Sequence, residues 1–465
     1  MINLSLLNKC PSVLSPVNLT GVYPFFTDTR KYHHPGVFVA IPGIKVNPLD
    51  VIDPLLSQLC PLVFYQQDEV NDQKVKEISR RFPQTEFIPV NDSVTFLQEI
   101  THHHICEWKA KRSRNTVFAI SGSNGKTTHK EMFSFILKEV LKDKVVATEK
   151  NNNNHLGVPL TLLNVNDNTE IVVLELGSNH PGEIKVLCDI AQPNAGLTTN
   201  IGATHLEFFG TEEKVFEEEG YLYHAVKEIT QGRGLYLINL DDHYLKRFPE
   251  TFGSISYGES PEAKARVTFV EDGADITYAG ESFSARNSHI TGKHNKLNLV
   301  TCLFLACRLF PQSKSQFIEA CNNFRPTKNR SEWIEFDNRS VYLDAYNANP
   351  SSMKAALSGF KDSLLSRGIS LDDSCIVLGD MNELGASTPQ YHKDLGKYVK
   401  DLGFKNVYFV GRFAQHYLDG CPHGHTKNSS AEFKFEYRNE CLKKFNVHFI
   451  KGSRSLQLES LFDIT

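Results

Sequence analysis

The chain has 465 residues, a formal net charge of −4, 40% hydrophobic and 22% charged residues, values that suit a globular protein of roughly two to four domains. It has no basic surplus with which to hold a nucleic acid by bulk charge, and no run of roughly 18 apolar residues that would span a membrane. The opening MINLSLLNKCPSVLSPVNLT lacks the basic start and long apolar core of a secretory signal, and ten scattered cysteines form no CxxC pair, so reduced thiols in the cytoplasm are expected.

Residues 1 to 112 carry short apolar runs, GVFVAIPG and PLVFYQQ, that read as strands broken by Pro and Gly. HHHICEWKAKRSRN then turns polar and basic, and His102, His103 and His104 read as a solvated helix end rather than a metal site. From residue 113 the pattern alternates. TVFAIS leads through a Gly-rich loop into HKEMFSFILKEVLKD, EIVVLELG leads into GEIKVLCDIA, and AGLTTNIG and GLYLINLDD supply further strands. Such alternation predicts a mostly parallel sheet with helices on both faces. At NNFRPTKNRSEW a helical pattern breaks, and SVYLDAYN, SCIVLGD, NVYFVG and VHFIKGS announce another α/β unit. The expected divisions are 1–112, 113–324 and 325–465.

AISGSNGKTTHKEM carries the chemistry. A strand ends at Gly122, Ser123 and Asn124 lead to Gly125, and Lys126, Thr127 and Thr128 open a helix. Glycines let backbone N–H groups approach phosphate oxygens, the helix start adds positive potential, Lys126 adds charge and Thr127 offers a hydroxyl to Mg²⁺. A strand-to-helix turn of purely structural use would share this shape, and Ile120 stands where the longer phosphate-loop pattern has its first Gly.

The short form SGSNGKTT is similar to the TGTNGKTT of the Mur ligase family, ATP-dependent amide-forming enzymes of peptidoglycan precursor synthesis. NNNNHLGVPLTLL, LELGSNHPGEI, TTNIGATHLEFFGT and INLDD follow in the family's order, and TDTRKYHHPGVFVAIPG, GKHNKLN, DAYNANPSSMKAAL, LGDMNELG and KGSRS resemble the MurF branch. The resemblance implies three α/β domains: a first that binds a UDP-muropeptide, a central phosphate-loop ATPase with a parallel sheet, and a Rossmann-like third that binds the incoming amine. It implies ATP and Mg²⁺ as cofactors, UDP-MurNAc-peptide and D-Ala-D-Ala as small-molecule substrates, and a monomer in the bacterial cytoplasm. A peptide carboxylate would attack the γ-phosphate, and the amine would then displace phosphate from the acyl phosphate.

By the same resemblance Lys126, Glu175, His205 and Glu219 serve catalysis, with Thr127, Glu175, His205 and Glu219 as metal ligands. Residues Gly122 to Thr128, His294, Asn295, Arg330 and Asp344 hold the nucleotide. Thr27, Asp28, Thr29 and Arg30 face the uridine end, Asn153 and Asn154 line the cleft, and Asn347, Asn349 and Glu383 await the amine. For His205 and Asn295 the bland alternatives are a structural histidine and a helix start.

Two departures stand out. Where the family has a carbamylated lysine, this chain reads FGTEEKVFEEEGYLY with Glu219, either a built-in anion of shorter reach or one of three glutamates on a solvated helix face. Where the family's first domain has a DGH element, this chain reads IKVNPLD. A ligase acting on another muropeptide or amine, and a nucleotide-binding scaffold without activity, therefore stand beside the leading expectation.

Overall fold

The computed structural model describes residues 1–32, 35–326, 330–336 and 338–462. Near the N-terminus, Phe25–Phe26, Val37–Ala40, Leu62–Gln66 and Glu86–Val90 form a parallel four-stranded sheet in that order. Its carboxyl edge carries the Asp28 turn and the segment from Ile41 to Asn47, the position at which open parallel sheets bind ligands.

Thr116–Ser121 and Ile171–Glu175 are buried at every position, which explains their continuous apolar runs: both faces of the sheet are covered. They lie within a nine-stranded sheet of seven parallel strands, the last of which, Ala265–Val270, is continued by the antiparallel strands Gly273–Tyr278 and Glu281–Arg286. One face is covered by Lys126–Leu141, Lys293–Leu309 and Lys314–Asn323. The other is covered by Glu183–Ala191, Tyr221–Ile229 and part of Ser93–Lys111. Each Leu, Ile or Phe so enclosed contributes roughly 1.5–3 kcal/mol relative to exposure.

The strand Thr116–Ser121 pairs with Ile171–Glu175 on one side and Ala195–Thr198 on the other, all parallel. Strand order reverses here, so the loop after Ser121 opens into a crevice. In the six-stranded C-terminal sheet, Val447–Lys451 lies between Arg339–Asp344 and Ser374–Gly379. The ends of these strands and the loops after them bring Asn347, Lys451 and Glu383 to one edge.

The histidine run differs from expectation. Helix Ser93–Lys111, started by the Asp92 carboxylate on Thr95 N–H, carries all three residues. His102, His103 and His104 contact the backbone carbonyls of Asp189, Lys9 and Val165 at 2.7, 2.8 and 3.0 Å, and His104 is buried. They join chain segments rather than fray into water, because the helix runs between two cores. Phe96, Leu97 and Ile100 pack into the first, Ile105 and Trp108 into the central one.

Candidate active site

Gly122 has φ +122°, and a Cβ there would overlap Thr199 Oγ1, so conformation and space both demand glycine. Gly125 has φ +79° with ordinary room around it, and conformation alone explains its identity. Ser123 N–H donates to Asn200 O at 2.8 Å, and Asn124 N–H to Asn200 Oδ1 at 3.2 Å. The helix that begins at Lys126 has no side-chain cap, which leaves its first N–H groups available to an anion.

Glu219 lies under this loop. Its Oε2 accepts Gly122 N–H at 2.7 Å, and its Oε1 stands 3.3 Å from Lys126 Nζ, which also donates to Gly122 O. The carboxyl is almost fully buried, and burial pushes its pKa up while Lys126 and the Gly122 N–H oppose that rise. The solvated-face alternative is thereby removed for two of the three glutamates. Glu218 is also buried and accepts from Ser178 Oγ, Gly182 N and Ile184 N at 2.9, 2.6 and 2.7 Å; only Glu217 sits in solvent, paired with Lys214.

At the end of the neighbouring strand, Glu175 Oε1 accepts from Thr127 Oγ1 at 2.9 Å and from Asn153 Nδ2 at 3.0 Å. Gly177 makes the second bond possible, since a Cβ there would stand 2.8 Å from Asn153 Nδ2. Glu175 Oε2 is buried with no hydrogen-bond partner. A spare carboxylate oxygen beside a hydroxyl is the hard donor set that suits Mg²⁺.

The C-terminal unit closes the cleft from above. Tyr346 OH donates to Asn151 Oδ1 at 2.5 Å, and the Arg330 guanidinium lies 3.9 Å from the centre of the Tyr346 ring. Asp344 is bound by Lys451 Nζ at 2.6 Å, and the same ammonium donates to Asn347 O at 2.9 Å. His294, whose pKa burial lowers, lies within the field of Asp344. His205, at φ +50°, places Nδ1 against the carboxylate of Glu383, at φ +62°, and Glu207 N–H donates to Glu383 O at 3.1 Å.

Residues 120–306 match the model of the Mur ligase middle domain, and residues 329–444 match that of the Mur ligase glutamate ligase domain. The UDP-N-acetylmuramoyl-tripeptide–D-alanyl-D-alanine ligase of Bacillus subtilis is 28% identical over 95% of this chain and 93% of its own. The enzyme of that name from Treponema pallidum is 30% identical over 80% of this chain and 79% of its own. The chain is a Mur ligase. Its fold is that of a solved MurF from Acinetobacter baumannii, at TM-score 0.82 and 24% identity over 99% of this chain and 97% of that one.

Within this Mur ligase, Thr127, Glu175 and Asn153 come together, as do Lys126 and Glu219, while His205 faces Glu383. The four expected metal ligands do not form one cluster: among the described residues no three His, Cys, Asp or Glu side chains group as a cation site. Asn295 donates to Thr291 O at 3.1 Å and lines a narrow cleft with Thr128 and Arg330. Asn154 spends its oxygen on Leu156 N–H and Gly157 N–H, at 3.2 and 2.8 Å, and so fixes a helix start. Asn349 likewise starts helix Pro350–Ser366, in a capping box with Ser352. Asp28 holds Arg30 through both carboxylate oxygens, at 2.9 and 2.8 Å, and this bonding lowers its pKa. Thr27 and Thr29 flank Asp28 on the sheet's carboxyl edge. Sequence reasoning missed Lys451, Tyr346, Asn151 and Ser351. KGSRS, DAYNANPSSMKAAL and NNNNHLGVPLTLL contained all four, but nothing local says that a lysine at one strand end meets an aspartate 107 positions earlier.

Proposed function

We propose that this chain joins D-Ala-D-Ala to a UDP-MurNAc-tripeptide at the expense of ATP, forming the amide with release of ADP and phosphate in peptidoglycan precursor synthesis. The observation that carries the reading is the pairing of a phosphate loop whose helix start is uncapped with a buried carboxylate, Glu175, that keeps one oxygen uncommitted beside Thr127. In the first step two anions must meet, so fixed positive charge and geometry carry most of the catalysis. Lys126 and the N–H groups after Gly125 would receive the phosphates. Thr127 and Glu175 would hold Mg²⁺, which when bound neutralises phosphate charge.

Glu219 would act as the loop's own anion: it orients Lys126 and holds Gly122 N–H. Arg330 would clamp phosphate, Asp344 would contact the ribose, and Asn295 and His294 would border the base. Asn347 and Glu383 lie where the strands of the C-terminal sheet end, which suits the dipeptide. Thr27 to Arg30 would meet the uridine end. Residues 1–112, 113–324 and 325–465 would be the muropeptide, ATP and amine domains. We assign the chain to the bacterial cytoplasm, where its ten unpaired cysteines would stay reduced, and take it to act as a monomer.

A second reading, the same ligation on another muropeptide, draws on the segment Ile41–Asn47, where Ile44 is fully exposed at the substrate edge. The test is phosphate release with ATP and Mg²⁺, adding UDP-MurNAc-tripeptide and D-Ala-D-Ala singly and together, with mass detection. Release and a pentapeptide mass only with both is the expected result. ATP binding without release points to the second reading.

A further inference from the structure

Asn124 stands at the apex of the phosphate loop, 227 positions before Ser351, yet its Nδ2 donates to Ser351 Oγ at 2.8 Å. Its Oδ1 accepts from Asn349 Nδ2 at 2.6 Å. On its other side the same residue is tied to the central sheet. Its backbone oxygen accepts from Thr199 Oγ1 and Asn200 Nδ2, at 2.6 and 3.0 Å, and its Nδ2 reaches Asn200 Oδ1 at 3.3 Å. One amide therefore belongs to the phosphate loop, the central sheet and the C-terminal unit together.

The partner side is equally determined. Asn349 is buried, and its Oδ1 is taken by Ser352 N–H at 2.9 Å and Ser351 Oγ at 3.1 Å, so its Nδ2 is turned toward Asn124. Gly202 leaves the space: a Cβ there would stand 2.9 Å from Ser351 Oγ. Every group in the contact is neutral. Its strength depends on hydrogen-bond geometry, which weakens steeply with misalignment, and hence on the shape of the loop.

We propose that Asn124, with Asn349 and Ser351, is a positioning latch through which nucleotide on the phosphate loop and docking of the C-terminal unit reinforce each other. The proposal rests on the loop binding ATP. Phosphate that fixes the backbone around Asn124 also fixes the amide that receives Ser351 and Asn349. By reciprocity, docking must then tighten nucleotide binding by the same factor. Asn349 accordingly acts as a coupling residue rather than an amine ligand.

The test is a double-mutant cycle on the full chain with Asn124→Ala, Ser351→Ala and both, reading the Kd of a non-hydrolysable ATP analogue by calorimetry and compaction by X-ray scattering. Ser351→Ala leaves the Asn349 cap intact, and melting curves establish that each variant folds. Each single change is expected to weaken the nucleotide by about fivefold or more, with loss of compaction, and the double change to be no worse than the stronger single one. Multiplying effects, or an unchanged Kd for Ser351→Ala, would overturn the latch while leaving ATP binding in place. A wild-type chain that binds no analogue would overturn the ATP reading, and the latch with it.

Discussion

Two residues at the phosphate loop, one within it and one beneath it, separate shape from charge. Gly122 is fixed by a positive φ and by Thr199 at the place where a Cβ would go. Gly122→Ala should therefore lower stability by about 2 kcal/mol or more and abolish nucleotide binding, both readable from a thermal melt with and without ATP. Glu219 works through charge. Glu219→Gln retains an acceptor for Gly122 N–H but removes the anion facing Lys126, so the expected result is a fall in kcat of about a hundredfold with little change in melting. Glu219→Ala also removes the acceptor of the buried Gly122 N–H, and should cost about 1–3 kcal/mol in stability as well. Equal activity of the wild-type and Gln chains would show that the Glu219 charge does nothing for the reaction.

At the scale of elements, Asn153 and Asn154 are neighbours with different work. Asn153 holds Glu175, whereas Asn154 holds the start of helix Gly157–Leu162. Asn154→Ala should cost about 1 kcal/mol and leave kcat near wild type. Asn153→Ala should lower kcat while the denaturation midpoint barely moves. Paired unfolding curves and steady-state kinetics check both, and the reverse assignment of effects would exchange their roles. The sequence shows the two only as members of an NNNN run. Strands such as TVFAIS and IVVLE were legible because burial on both faces leaves an unbroken apolar run, and the phosphate loop because its glycines have a local cause. Glu218, Asn349 and Lys451 were not legible in their roles, since their partners lie tens to more than two hundred positions away and no periodicity encodes such pairings.

At the scale of the whole molecule, four histidines set the response to acid. His104, His129, His392 and His448 are buried, and burial lowers each pKa to about 4. His392 shows why the neutral form is built in: Nε2 accepts Met381 N–H at 3.1 Å while Nδ1 donates to Thr388 O at 2.7 Å. The folded-state values lie below the unfolded value of about 6.5, so between those limits the unfolded chain binds more protons. Stability is held above pH 6.5 and lost as pH falls toward 4, by up to about 1.4 kcal/mol per unit for each histidine. Urea midpoints should fall steeply from pH 7 to pH 5; a flat profile would mean that these imidazoles protonate in the folded chain.

Helix Ser93–Lys111 has one half in each of two hydrophobic cores, and this limits the modularity of the fold. A recombinant chimera that exchanges the leading region between relatives at residue 112 would carry Ile105 and Trp108 away from the sheet they cover, whereas a junction at residue 92 would strip Phe96, Leu97 and Ile100 from the sheet left behind. The edge loops of the leading region, such as the segment around Ile44, can therefore drift more readily than the region can be replaced as a whole.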